Sequence, residues 1–298
     1  MATPTYGGQA VIEGVMIRGQ RAMAIAVRRP DGSIIHTVRR LGGVYTSALR
    51  RIPLLRGIVV LWETLALGMR ALSWSAAIAA DEVDEHGQAR PLDLLQWVAM
   101  AVSMLLGVGL FFLVPVLGTA WLSTYLSNVV VVTIEGVIRL ALLVGYIWAI
   151  GRNQEIGRVF QYHGAEHMTI HAHEQGRELT VPTIRRYPKE HPRCGTSFLL
   201  TVGVVAIFVF ALLGDPPLWW RLTSRIVLVP AIASIAYEAI RFAGFHQERT
   251  IVRWLFAPNI ALQWLTTRVP DDEQIQVAIA ALQRCRDEER AAALRGTS

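Results

Sequence analysis

Apolar positions along this chain fall mostly into long uninterrupted runs, and these runs set the first elements. Leu94 to Leu117 carries no charge at all, and a bilayer-spanning helix needs about 20 predominantly apolar residues. Val129 to Ile150 is long enough as well, although it holds Glu135 and Arg139. Ser197 to Gly214 is a third run. Ile226 to Ile240, interrupted by Pro230 and Glu238, is a fourth, paired with the third through the short linker DPPLWWRLT. Gly57 to Ala80 is also apolar, but Arg56, Glu63 and Arg70 recur every seven residues and share one helical stripe. That spacing predicts an amphipathic helix lying on a membrane or packed on the bundle, not a fifth span.

The N-terminal portion has a different pattern. Runs rich in β-branched residues flank Pro30-Asp31-Gly32, a turn signal, so β structure is expected there. The preceding glycines in GGQAVIEGVMIRG do not fit a dinucleotide-binding spacing. Residues 81–93 read as an acidic linker. Asp271 to Glu289 reads as a surface helix capped by Asp271 or Asp272. The expected fold is a mainly α-helical polytopic membrane protein of about four transmembrane helices, with a small N-terminal β portion and cytoplasmic helices. Its segments are the β portion at 1–56, the amphipathic helix and linker at 57–93 and a transmembrane hairpin at 94–150. A His-rich segment at 151–196, a second hairpin at 197–241 and a helical tail at 242–298 complete it.

Composition supports this reading. The chain is 53% hydrophobic and only 17% charged, with mean hydropathy +0.38, which is unusually apolar for a soluble domain. The net charge of +6 matters less than where the positive residues fall. The linker GTAWLSTYLSN has none, and the second hairpin linker has only Arg221, with Arg225 at the next boundary. Residues 151–196 carry seven Lys or Arg. Four spans put every basic segment on one side, which the positive-inside rule makes cytoplasmic, both termini included. A membrane is the expected partner, and no nucleic acid is. The N-terminus lacks the basic-then-apolar order of a cleaved signal, so the mature chain is expected to start at or near Met1. Cys194 and Cys285 do not suggest a disulfide framework.

The candidate chemistry concentrates in FQYHGAEHMTIHAHE, which holds four of the eight histidines. On a helix turning about 100° per residue, His163, His167 and Glu174 share a face, with Glu166 and His171 flanking it. Two histidines at i and i+4 make a common half-site for a divalent metal. His163-Gly164-Ala165-Glu166-His167 also fits H-x-x-E-H, which in inverzincin peptidases supplies two Zn ligands and a glutamate base. His191 and Cys194, in HPRCGTSF, are expected to complete a tetrahedral site, with Zn favoured and Mn or Fe also compatible. The bland alternative is a solvated polar helix face. His171 and His173 are the weakest members, and His36, His86 and His246 are expected to be incidental. Glu135, Arg139 and Glu238 lie in apolar runs, where ionisable groups are functional candidates by default. Glu238 is also a remote candidate for a further ligand.

Four blocks, GGQAVIEGVMIRG, YHGAEHMTIHAHEQGRELTV, HPRCGTSFLL and APNIALQWLTTRVPDDEQIQVAIAAL, together resemble the YqhQ family of bacterial membrane proteins. That family is of unknown function and is often catalogued as predicted metal-dependent enzymes. The resemblance covers nearly the whole chain and implies a bacterial inner-membrane location. It carries over to Glu13 and Arg18, to Tyr162, His163, Glu166, His167 and Glu174, to His191, Arg193, Cys194, Gly195, Thr196 and Ser197, and to Thr266, Thr267 and Arg268. Met168 departs from the family pattern, where a lysine stands.

Three functions follow as expectations. In the first, a metal-dependent hydrolase uses His163, His167, Glu174, His191 and Cys194 as ligands, Glu166 as general base and Arg193 as an anion clamp. Its substrate is a peptide, a lipid-linked molecule or another amphiphile. In the second, a membrane scaffold or assembly factor carries a structural metal site. In the third, an ion or metal transport component uses Glu135, Arg139 and Glu238 and needs a homo-oligomer, because four spans are few for one transporter chain. If the β portion folds back over the histidine helix, Glu13 and Arg18 join its site, and Thr266 to Arg268 approach it from the tail.

Overall fold

The computed structural model describes residues 6–42, 52–81, 93–192, 194–246 and 248–295. Most of the expected acidic linker, and Arg193, lie outside the described residues. Four strands, β1 (Gly7–Val11), β2 (Gly14–Arg18), β3 (Ala22–Arg28) and β4 (Ile34–Arg40), pair antiparallel in sequence order. The β3–β4 turn is the expected one. Gly32 takes the left-handed conformation at φ +86°, and the Asp31 carboxylate accepts from the Ser33 amide at 2.8 Å.

Alternation along the strands gives the sheet two buried faces. Met16, Met23, Ile25 and Val27 pack with Leu67, Ala71 and Ile78 of α1 (Leu55–Ala79). Val15, Ile17, Ala24 and Ala26 pack with Tyr162, Ala165 and Ile170 of α5 (Gln154–Glu174) and with Ile275, Ala278 and Leu282 of α11 (Asp272–Arg295). The result is a helix–sheet–helix sandwich built from both ends of the chain. α11 starts where the sequence predicts: Asp271 and Gln274 exchange side-chain-to-backbone hydrogen bonds of 2.8 and 3.0 Å. It is not the surface helix expected, because its apolar face closes the sheet core.

The apolar part begins with α2 (Leu94–Val108), a π turn (Gly109–Leu113), α3 (Val114–Thr119) and a 3-10 turn (Ala120–Thr124), and returns through α4 (Asn128–Ile150). After the short α6 (Val181–Ile184) come α7 (Gly195–Ala211), α8 (Leu218–Val227), α9 (Val229–Phe245) and α10 (Thr250–Thr266). Two helical stretches, Leu94–Thr124 and Asn128–Ile150, are long and apolar enough to cross a membrane. α8 with α9, bent by 50°, makes a third if the pair is one span. The count is therefore two to three among the described residues, against the four expected. α7 is apolar but only 17 residues long. The expected fourth run is broken at Leu228, where the chain restarts around Pro230, a residue with no N–H to donate. Much of the expected linker is helical too, since α8 takes up its residues 218–223.

Candidate metal centre

α5 follows α4 after a three-residue turn, and Asn153 caps it by accepting from the Glu155 amide at 2.8 Å. This hard connection fixes the histidine face at the end of α4. His163 and His167 do share that face, with ring centroids 4.4 Å apart. The Nδ1 of His163 lies 2.9 Å from the Thr266 carbonyl, and that of His167 lies 2.6 Å from the Lys189 carbonyl. A carbonyl can only accept, so each ring carries its proton on Nδ1 and leaves the Nε2 lone pair for a ligand. This is the arrangement that orients metal-binding imidazoles. Cys194 Sγ sits 3.2 Å from His163 Nε2. Ligand atoms of His163, His167 and Cys194 all lie within 4.8 Å of one another.

The expected ligand set divides in two. Glu174 and His191 belong to a neighbouring group with His171, and its ligand atoms also lie within 4.8 Å of one another. Glu174 Oε2 is 3.4 Å from His191 Nε2. His171, ranked weakest from its place on the helix, thus joins the second group, because the loop carrying His191 crosses that side of α5. His191 links the groups, with its ring 5.7 Å from His167 and 4.5 Å from His171. His173 points away and meets Tyr6 edge-on at 5.1 Å.

Glu166 lies beside the first group, its Oε2 3.5 Å from His167 Nε2, and is buried under β1. A β-carbon at Gly8 would come within 2.6 Å of the Glu166 side chain, so only glycine lets the strand approach this closely. Burial pushes the Glu166 carboxyl up to about 8; the nearby thiol adds to this and His163 opposes it. Burial holds His167 well below the ordinary imidazole value, reinforced by His163, and holds His191 at about 4. It raises the Cys194 thiol against the lowering hydrogen bonds of Thr196. Without a cation, burial therefore favours the neutral forms of His167, His191, Cys194 and Glu166. A divalent ion would expel protons from the group on binding. That donor chemistry fits Zn and does not exclude Mn or Fe.

The supporting contacts come from two segments. On α10, Gln263 accepts from the His191 amide at 2.8 Å and donates to the His191 carbonyl at 2.9 Å and to Ser197 Oγ at 3.1 Å. Thr196 Oγ1 lies 3.1 Å from Cys194 Sγ. The Arg268 amide donates to the Phe160 carbonyl at 2.9 Å, and its guanidinium bonds the Gly151 carbonyl. The tail therefore does approach the site, through the carbonyl of Thr266. The β portion does fold back, but it brings Gly8 rather than the expected residues. Glu13 pairs with Arg158 and lies 3.3 Å from Tyr162 Oη, and Arg18 pairs with Glu63 on α1 at 2.7 Å. Glu238 bonds Arg56 and the Leu54 amide instead of joining either histidine group. Glu135 and Arg139 pair at 2.8 Å within the apolar helices.

A family model described as a protein of unknown function (DUF1385) matches residues 52–288. The chain belongs to that family. The match covers α5, the His191–Cys194 loop and α10, while Gly8 and the rest of the sheet precede it. Uncharacterized protein YqhQ of Bacillus subtilis (strain 168) is 36% identical over 287 residues, which is 93% of this chain and 90% of that one. No solved structure matches. The family thus supports the resemblance drawn from the four sequence blocks and adds no activity to it.

Beside the centre, a cavity of about 1150 Å³ opens between α7, α9 and α10. Ile240, Val252, Phe256 and Trp264 line it, and so do Pro192 and Ser197 from the segment that carries His191 and Cys194.

Proposed function

We propose that this chain is a metal-dependent hydrolase of the bacterial inner membrane, with its centre on the cytoplasmic face and an amphiphilic substrate. The observation that carries the reading is the pair of Nδ1-to-carbonyl hydrogen bonds, which leaves both Nε2 atoms of His163 and His167 available beside a thiol. His163, His167 and Cys194 would hold the ion, which supplies Lewis acidity when bound. Glu166 is the proton carrier: burial brings its carboxyl near neutrality, where a general base is effective. The Thr266 and Lys189 carbonyls orient the imidazoles, and Gly8 with β1 excludes water from the Glu166 side. The adjoining apolar cavity exceeds the usual range of about 300–1,000 Å³ for small-molecule sites and suits the hydrocarbon part of an amphiphile. An even number of crossings would put the basic N-terminal, 151–196 and C-terminal segments on one side, which the positive-inside rule makes cytoplasmic. The role expected for Arg193, holding an anionic group, belongs to this reading.

The test is the metal content of the detergent-purified chain beside a His163→Ala/His167→Ala double variant. We expect about one ion per chain in the wild type, or about two if the His171, Glu174, His191 group also fills, and loss of the first ion in the variant. Glu166→Gln should then keep the ion and the fold but lose hydrolysis. No ion after reconstitution with Zn, Mn and Fe would remove the hydrolase reading.

The scaffold reading keeps one specific support. Cysteine ligation and deep burial are typical of closed structural sites, and a centre with no exchangeable position would favour it. The transport reading draws less support, because Glu238 and Glu135 sit in separate ion pairs with different partners.

A further inference from the structure

The second unusual cluster is remote from the histidines in sequence and contains no histidine. Glu135 on α4 is 1% exposed and faces three guanidiniums. Arg225 grips it with both forks, Nε to Oε1 at 3.0 Å and Nη2 to Oε2 at 2.8 Å. Arg139 bonds Oε1 at 2.8 Å and uses its Nε to cap the Phe111 carbonyl, inside the π turn, at 2.9 Å. Arg221 reaches Oε2 only at 3.5 Å and Thr119 Oγ1 at 3.2 Å. The two carboxylate oxygens are thus taken up mainly by Arg225 and Arg139, and Arg221 is left over. Its Nε is buried with no hydrogen-bond partner among the described residues, and the residue is 7% exposed.

Among the described residues the charges of this cluster do not balance. Three cations and one anion leave the cluster two charges in excess, among helices whose outer surfaces are apolar. Arg225 also stacks on Phe210 with its guanidinium carbon 4.0 Å from the ring centre, which eases its burial but supplies no negative charge. Buried excess charge is costly unless something compensates for it. Planar guanidiniums suit oxyanions, which can accept several N–H groups at once.

We infer that Arg221, Arg225 and Arg139 form a site for a phosphate-type oxyanion, with Glu135 as the built-in counter-charge that gathers the arginines. The occupant is either a phospholipid headgroup or free phosphate, since both present the same oxygens. Arg221, held only by long contacts to Thr119 and Glu135, is the guanidinium with donor capacity left for it. The site is independent of the metal centre, so either can fail without the other.

The experiment uses the full chain in an uncharged maltoside detergent and chloride buffer, stripped of lipid. Thermal unfolding is followed while inorganic phosphate or, separately, phosphatidylglycerol is titrated in, with diacylglycerol as the phosphate-free control. We expect a saturable rise in unfolding temperature with at least one phosphate carrier and none with diacylglycerol. A response to inorganic phosphate alone identifies the free anion, and a response to phosphatidylglycerol alone identifies a headgroup. Arg221→Gln should weaken the apparent affinity by about tenfold or more, as loss of one charge-assisted hydrogen bond implies. Glu135→Gln should be less stable without phosphate yet gain more from it than the wild type, because the excess charge rises. A purely structural ion-pair cluster predicts the loss without the rescue. The proposal is overturned if neither carrier stabilises the wild type, or if Arg221→Gln responds as the wild type does. Where Arg221→Gln does not fold, a Glu135→Gln chain without phosphate-dependent stabilisation overturns it.

Discussion

Gly164 stands between the two metal-ligand candidates because the carbonyl of Arg268 occupies the space a β-carbon would need, 2.2 Å away. In an exposed helix, glycine to alanine stabilises by about 1 kcal/mol. Here the obstacle is backbone, so Gly164→Ala should instead destabilise by about 1–3 kcal/mol and weaken metal retention through the Thr266 carbonyl that holds His163. A variant with an unfolding temperature at or above the wild type would show that the contact yields. His191 gives a second prediction at this scale. Its folded value of about 4 lies below the roughly 6.5 of an unfolded imidazole. The unfolded chain therefore binds the extra proton first as pH falls. The stabilisation is complete above about pH 6.5 and is lost toward pH 4. His167 and His171 face the ring from α5, and a proton there would repel one on His191, while Glu174 at 3.4 Å attracts it. The metal-free protein should thus lose urea resistance between pH 6.5 and 4, and His191→Gln should flatten that slope. An unchanged slope in the variant would assign the loss to other groups.

Among the elements, α10 has the least expected role. The sequence placed it in the tail and in a family block, with Thr266 near the site, but gave Gln263 no role; yet Gln263 clamps the His191 backbone on both sides and reaches Ser197. Gln263→Leu would keep the volume but leave a buried amide and carbonyl unpaired, a cost of about 1–3 kcal/mol each. It should also lower metal affinity by about 10–100-fold, the usual effect of losing a group that supports a ligand. Equilibrium dialysis against a metal buffer would read this. An affinity within threefold of the wild type would mean that the loop holds its shape alone. The same reasoning explains α8. Arginines at 221 and 225 look like ordinary linker charges until the helix turns both toward Glu135.

At the scale of the molecule, the sandwich joins the first strands to the last helix. Leu282, Ile275 and Cys285 of α11 are fully buried against the same sheet that covers Glu166. Leu282→Ala should therefore cost about 2–5 kcal/mol and expose the metal centre, although the residue lies more than a hundred positions from His167. Proteolysis of the sheet in that variant would check it, and wild-type resistance would count against the shared core. The sequence by itself determined the elements whose signals are local. These are the Pro30-Asp31-Gly32 turn, a cap at Asp271 or Asp272, the long apolar runs at 94–117 and 129–150, and the shared face of His163 and His167. Each follows from a dihedral preference, a capping geometry or helical periodicity within a few residues. Only the tertiary structure decided which distant groups complete those pieces. It set Gly8 over Glu166, Gln263 on His191 and Arg221 beside Glu135, and it grouped His171 with Glu174 and His191 apart from His163, His167 and Cys194. These contacts join positions far apart in sequence, or turn on where the 185–194 loop crosses α5. No pattern of residue types along one chain specifies that packing.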